Sequence, residues 1–232
     1  MAAPRCLFDF LVTGQVLSSN PAELVRPPSL QTDGGKTPAL TVEETRELLD
    51  LIVEEKKELP QLRDRAIIGV MTYTFARVSA VCGLDVGDYF RAGRRWKIRL
   101  REKGGQRRTV PVHHKAKEYL DAYIEKAGIR EERDAPLFQS LKGRTGELTG
   151  NRLLADNALQ MVKRRAEEAG FDPAQVTCHT FRATGITTFL ENGGDLETAQ
   201  HVAGHASANT TRIYDHRDQQ VAQEEIERVR FD

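Results

Sequence analysis

Seven consecutive residues, Arg95-Trp96-Lys97-Ile98-Arg99-Leu100-Arg101, alternate a cation with an apolar side chain. A period of two puts Trp96, Ile98 and Leu100 on one face and the four cations on the other, which is the pattern of a strand with one basic face. Lys103-Gly-Gly-Gln106 supplies the turn, and Thr109 to Val112 reads as the returning strand. Nearly everything else in the chain has helical period. The fold class that follows is mainly α with a small antiparallel β-sheet, that is, α+β.

The helical signals set the organisation. Residues 7–17 read as the end of a helix, and Ser18 to Ala39, rich in Pro, Ser and Gly, as an extended linker. A domain starts at Thr41, where Thr41-Val-Glu-Glu44 is a capping box with Leu48, Leu49 and Ile52 as the apolar stripe behind it. Helices are expected at about 62–73, 78–84, 114–127, 150–169 with Gly170 as cap, 178–191 and 195–203, with a short one near 207–213 and a last one over 217–229. Leu137-Phe138 is a short edge-strand signal. The chain therefore divides into residues 1–39, a helix plus linker, and a domain over 40–232. A single helix before a linker cannot bury its own apolar face.

The 232 residues are 39% hydrophobic and 29% charged, as in a soluble globular protein, and no apolar run approaches the roughly 20 residues a membrane span needs. The first residues, Met-Ala-Ala-Pro-Arg-Cys-Leu-Phe-Asp-Phe-Leu-Val, have too short an apolar core for a signal peptide. Three cysteines, Cys6, Cys82 and Cys178, are an odd number with no CxxC spacing; they fit a reducing cytoplasm and argue against a disulfide or zinc framework. Net charge is zero, yet between Arg91 and Lys117 eleven basic residues face Glu102 alone. Such a cluster is the footprint of a polyanion-binding face, or else a solvated surface.

Several residues have the type and spacing for chemistry. His179-Thr-Phe-Arg182 places two side chains on one helix face; alone, it reads as a capping histidine and a surface arginine. His201-Val-Ala-Gly-His205 has the i, i+4 spacing of a helical zinc site, but lacks its glutamate, and Gly204 ends the helix before His205. Zinc is therefore rejected, and no paired-carboxylate cluster offers a magnesium site, so phosphate chemistry here would run on protein cations. Arg77 is the only charge between Ala66 and Leu84. It pairs with an acid such as Asp85 or Asp88, or it lines an anion site suited to its planar fork. Tyr214 follows Gly204-His205 by nine residues in polar company, with only Ile213 beside it to pack.

Taken in order, Arg77, Lys103 on its turn, His179-x-x-Arg182, Gly204-His205 and Tyr214 resemble the catalytic domain of the tyrosine recombinases, or phage integrases. The resemblance covers residues 40–232 and fills six active-site positions. Cys6 to Leu30, with Ser19-Asn20-Pro21-Ala22, is similar to the last helix and exit of that family's core-binding domain. Residues 1–39 are thus expected to be a remnant of that domain plus the linker, and a chain lacking the rest of the clamp is expected to bind DNA weakly. Two positions depart from the family pattern: Ala80, where an acid is common, and Ala183, where a histidine is common.

The resemblance implies that Tyr214 attacks a DNA phosphodiester, leaving a 3′-phosphotyrosine and a free 5′-hydroxyl. His179 would accept the phenolic proton, and Arg77 and Arg182 would hold the phosphate oxygens. His205 would add a hydrogen bond to that phosphate, and Lys103 would protonate the leaving oxygen. Polar surroundings and a weakly anchored short helix would leave the Tyr214 ring free to swing. No cofactor, metal or ATP is implied. The implied partners are double-stranded DNA at specific recombination sites, further copies of the chain in a tetrameric synapse, and accessory DNA-bending or directionality factors. The 217–229 helix, with Val221, Ala222, Ile226 and Val229 on one face, would dock on a neighbouring copy or on its own domain. The setting implied is a bacterial cytoplasm, on the nucleoid. A type IB topoisomerase-like nicking-closing enzyme, a non-catalytic DNA-binding remnant and a basic scaffold domain are the competing readings.

Overall fold

A computed structural model describes residues 2–23, 25, 39–54, 58–102, 105, 107–143, 145–205 and 207–215. Lys103 and the expected 217–229 helix lie outside these residues, as does most of the expected linker. The chain divides into two compact units, Met1–Gly35 and Lys36–Asp232.

The first unit is built on α1 (Ala2–Thr13), which starts earlier and stops earlier than the periodicity predicts. The segment after α1 folds back on it: Arg5 Nε donates to the Ala22 carbonyl at 3.1 Å, and Asn20 Nδ2 donates to Asp9 Oδ1 at 2.7 Å. Leu7, Phe10 and Val16 remain exposed.

The second unit opens with α2 (Val42–Glu54), capped as its sequence requires: the Thr41 hydroxyl accepts from the Glu44 amide and the Glu44 carboxylate from the Thr41 amide. Leu48, Leu49 and Ile52 point into the core. α3 (Leu59–Thr74) carries Pro60 in its first turn, where no amide is needed, and is buried along most of its length. It packs against α2, α5 (His114–Ala127) and α7 (Cys178–Glu191). Little separates α3 from α7, because a Cβ on Gly185 would meet the Thr72 carbonyl at 2.0 Å. Between α3 and α5 come α4 (Val78–Cys82) and a sheet in the order β1 (Tyr89–Ala92), β2 (Arg95–Arg101), β3 (Arg107–Pro111), all antiparallel. The alternation in β2 holds: Ile98 and Leu100 are buried, and the cations lie outward. The strand β1 carries no clean alternation of its own, and β2 reveals it by pairing with it from Tyr89↔Ile98 to Ala92↔Arg95.

The expected helix over 150–169 is corrected at its start. β4 (Gln139–Leu141) and β5 (Leu148–Arg152) form a second, two-stranded sheet, and the helix, α6 (Ala155–Glu168), begins only after Leu154. Gly150 has φ +80°, incompatible with a helix, and its amide bonds Gln139 Oε1. Arg152 pulls β5 inward by donating to the carbonyls of Cys82 and Leu84. The expected edge strand at Leu137-Phe138 falls one residue early, since those two side chains are core and the pairing starts at Gln139. The fold ends, among the described residues, with α8 (Leu196–Ala203) and α9 (Ala208–Arg212). No helix of the described residues is long and apolar enough to cross a membrane.

Candidate active site

The site is organised by α7. Thr177 caps it in a reciprocal arrangement with Thr180, which fixes the first turn, and the i, i+3 spacing then sets His179 and Arg182 on one face. Arg182 is only 1% exposed. Such a burial is tolerated because its donors are used: one terminal nitrogen donates to the Phe75 carbonyl, the other to the Ala203 carbonyl at 2.8 Å and to His205. Phe75 caps α3 in the left-handed region, φ 54°, unusual for a residue with a side chain. The Arg182 Nε, unlike its two terminal nitrogens, has no hydrogen-bond partner among the described residues. Burial first, and then the nearby Arg77, lowers the Arg182 pKa to about 10, so the group stays a cation at neutral pH.

His205 sits just beyond Gly204, which ends α8 in the left-handed conformation, φ 62°. A guanidinium has only donors, so His205 Nε2 must accept from Arg182, which puts the ring proton on Nδ1 and makes it the donor to Thr211 Oγ1 at 2.9 Å. Burial and, next, the Arg182 charge lower the His205 pKa to about 4. His205 thus serves here as a neutral buttress of Arg182. The spacing to His201 does not bring the two rings together, for His201 is exposed and His205 buried.

Tyr214 is not in polar surroundings. It is 7% exposed and packs in a small cluster with Phe75, Ala183, Ile186, Leu190, Ala199 and Ala203, while Ile213 turns outward at 54% exposed. Of its polar neighbours in sequence, Thr210 and Arg212 are exposed, whereas Thr211 is buried and bonds His205. The hydroxyl meets His179 Nε2 at 2.8 Å. Burial raises the Tyr214 pKa, and the Arg182 and Arg77 charges oppose that rise. Burial, followed by the same two charges, lowers the His179 pKa, so a neutral imidazole faces a neutral phenol. An imidazole nitrogen lies at the hydroxyl, with two guanidinium charges acting on both groups.

Arg77 stands at the N-cap of α4 with its side chain 41% exposed. Of the two readings of Arg77, pairing with Asp85 or Asp88 is not found: Arg101 and Arg152 hold Asp85, and Arg101 and Arg99 lie on Asp88. The partner is Glu102, whose Oε2 lies 2.7 Å from Arg77 Nη1, because the end of β2 passes the start of α4. The other carboxylate oxygen of Glu102 is held by Arg108 from β3. Sequence reasoning passed over Glu102 and Arg108, which hid inside a run read as one basic patch. The only local signal was that Glu102 is the sole acid in that run. Of the six residues expected at the site, the fold gathers Arg77, His179, Arg182, His205 and Tyr214; Lys103 follows Glu102 in sequence and lies outside the described residues. Ala80 and Ala183 are buried in the core. Among the described residues, no three His, Cys, Asp or Glu side chains group as metal ligands.

A tyrosine, a histidine and two arginines brought together by a helical domain with a β-hairpin define a class of DNA strand-transferring enzymes. The profile of the Phage integrase family matches residues 38–221. The chain is 35% identical over 217 residues to the tyrosine recombinase XerD of Mycobacterium leprae, covering 92% of this chain and 67% of that protein. It is 31% identical over 234 residues to the tyrosine recombinase XerC of Myxococcus xanthus, covering 99% and 72%. Among solved structures it resembles the XerH site-specific recombinase in a post-cleavage complex with a palindromic difH substrate, at 26% identity and a TM-score of 0.67, over 86% of this chain and 55% of that one. The chain belongs to the phage integrase family, the tyrosine-type site-specific recombinases, and has their catalytic-domain fold.

Proposed function

We propose that this chain cuts and rejoins DNA strands at specific recombination sites through a phosphodiester link to Tyr214. The observation that carries the reading is the 2.8 Å hydrogen bond between Tyr214 and His179, with Arg182 and Arg77 close enough to act on both groups. The Tyr214 oxygen attacks the phosphorus as His179 takes its proton, and the bond to the 5′-oxygen breaks. A phenol titrates near pH 10 in water, so this attack at neutral pH needs the base. Arg77 and Arg182 neutralise the charge on the non-bridging oxygens of the pentacoordinate state, which is the electrostatic contribution that dominates many such reactions. Lys103 donates the proton to the departing 5′-oxygen; acids in that role contribute roughly 10²–10⁴-fold. The phosphotyrosine keeps the energy of the broken bond, so rejoining to a new strand needs no ATP.

Residues 40–232 form the catalytic domain in this reading, and the α1 unit belongs to the DNA-gripping domain before it. Copies of the chain work together on paired sites, as a tetramer at the point of exchange, in a bacterial cytoplasm, with DNA-bending or directionality factors as helpers. The test incubates the full chain with a pool of nicked duplexes randomised over the binding site, so that strand loss traps the covalent complex. Sequencing the trapped DNA reads out the target. The labelled peptide should contain Tyr214, and Tyr214→Phe should give no adduct. An adduct that persists in that variant would sink the assignment.

A further inference from the structure

We propose that Glu102 is the positioning residue that holds Arg77 for the scissile phosphate and ties it to the strand end preceding Lys103; this rests on the recombinase reading above. The carboxylate is bracketed. Oε2 accepts from Arg77 Nη1 at 2.7 Å, and Oε1 lies 3.0 Å from both Nε and Nη2 of Arg108. The Glu102 side chain is 7% exposed, and a carboxylate that enclosed is tolerable only with its cations in place.

The bracket is anchored at one end and open at the other. Arg108 donates to the carbonyls of Thr74, at the end of α3, and Val202, near the end of α8. It also lies against Gly204, where a Cβ would stand 3.2 Å from its Nε. Glu102 is therefore fixed by an arginine that two helix ends fix in turn. Arg77 gives that carboxylate one nitrogen of its fork and stays partly exposed. A charge-assisted bond to a rigid acceptor removes much of the freedom a long side chain would otherwise lose on meeting a phosphate. Two guanidiniums around one carboxylate leave the spot net positive, so an anion is still attracted.

Among the described residues, no other carboxylate forms an ion pair with Arg77. Asp85 and Asp88 are taken by Arg101, Arg152 and Arg99, and position 80, one turn beyond Arg77, is a buried alanine. Glu102 also follows directly on the paired part of the hairpin, since Arg101↔Arg107 is the last register pair among the described residues. One side chain thus links the arginine to the strand end that continues into Lys103.

The test measures single-turnover cleavage of a nicked substrate by the full chain at saturating and limiting DNA. It compares the ordinary phosphate with a methylphosphonate at the scissile position, in which a methyl group replaces one charged oxygen. Glu102→Ala should lower the saturated rate on the order of 10²-fold, as a misplaced catalytic group does, and leave the half-saturating DNA concentration nearly unchanged. Glu102→Gln, which keeps the shape, should fall between, and Glu102→Asp should recover part of the loss. On the methylphosphonate, with less charge for Arg77 to hold, the defects of Glu102→Ala and Arg77→Ala should both shrink. In an Arg77→Ala background, Glu102→Ala should add little. Equal slowing on both substrates by both Glu102→Ala and Glu102→Gln, or a full additional loss in the Arg77→Ala background, overturns the assignment, as does faster cleavage, which would make Glu102 a mask over Arg77. Cleavage by Glu102→Ala at the wild-type rate removes the Glu102 assignment alone. No adduct from the wild-type chain removes the recombinase reading and this assignment with it.

Discussion

Two of the clusters in the second unit in which arginines surround a buried carboxylate differ in how far the arginine forks are filled. At Asp64, which is fully buried, Arg63 closes on one oxygen with Nε and Nη2 and on the Gln139 carbonyl with Nη1. Arg165 closes on the other oxygen with Nε and Nη2 and on Glu168 with Nη1, and Arg164 adds a further bond. Every nitrogen of two forks is used, and the cluster clamps α3 to α6. At Glu102 the same chemistry is arranged with one arginine locked, Arg108, and one, Arg77, held by a single nitrogen with its side chain 41% exposed. The closed cluster holds the fold together, whereas the open one has donors left for a ligand. Occupancy of the fork, rather than the count of charges, separates a structural ion cluster from a functional one.

The comparison breaks most visibly at Asp64. Asp64→Ala strands three guanidiniums, two of them buried, and removing one partner of a buried ion pair typically costs about 3–5 kcal/mol. For a domain of this size each kcal/mol lowers Tm by roughly 2–4 °C, so a drop of about 10 °C is expected in thermal or urea unfolding. Adduct formation per folded molecule should be unaffected. Arg77→Ala should do the reverse: stability within about 1 kcal/mol of wild type, because the Arg77 side chain is partly exposed and Arg108 still pairs with Glu102, with cleavage largely lost. If Arg77→Ala unfolds the domain, or Asp64→Ala impairs the chemistry of the molecules that remain folded, the division fails.

A somewhat smaller effect tests the buttress behind the open cluster. His205 has a folded pKa of about 4, below the ordinary 6.5 of the unfolded chain. The unfolded state therefore binds a proton at higher pH than the folded state does. The contribution is fully present above pH 6.5 and is lost as pH falls towards 4. The difference amounts to something on the order of 3 kcal/mol by linkage. The His179 pKa, lowered mainly by burial, acts with the same sign. Denaturation midpoints at pH 7, 5.5 and 4.5 should fall steadily in the wild type and more shallowly in His205→Gln. Parallel curves would mean that burial and the Arg182 charge do not hold His205 neutral.

These clusters also show what one sequence discloses. The hairpin, the α2 capping box and the α7 pair were legible because each depends on neighbours within four residues, where period and side-chain chemistry act directly. Arg77, His179, Arg182, His205 and Tyr214 were legible as a resemblance carried by spacing, and the fold does bring them together. Their environments were not. Tyr214 reads as exposed and Ile213 as packed, and the structure reverses them, because a single five-residue helix decides which side faces α7. The basic run from Arg91 to Lys117 reads as ten uncompensated charges, yet Arg99 and Arg101 meet Asp88 and Asp85, and Lys117 meets Asp121. Those acids lie outside the run or on the next turn of a helix, so a window along the chain cannot pair them. The Asp64 cluster gave no signal, because Arg63 is its sequence neighbour but Arg164 and Arg165 lie a hundred residues away.

The smallest predicted effect asks whether the open cluster binds an anion when no DNA is present. Inorganic phosphate or sulfate offers the oxygens of a phosphodiester without its grip on the rest of the molecule, so affinity will be weak. At ten times the dissociation constant, binding to the folded state alone stabilises by RT ln 11, about 1.4 kcal/mol, a Tm rise of a few degrees. The rise should saturate with anion concentration. It should vanish in Arg77→Ala, whose free fork is gone, and persist in Arg164→Ala, which alters the closed cluster at its exposed edge. Chloride at equal ionic strength separates this from screening, because screening weakens every exposed pair alike and gives no saturation. A rise that is the same in both variants would place the anion elsewhere on the basic surface. The open fork of Arg77 would then be a consequence of its position at a helix cap, and the contrast with Asp64 would lose its functional meaning.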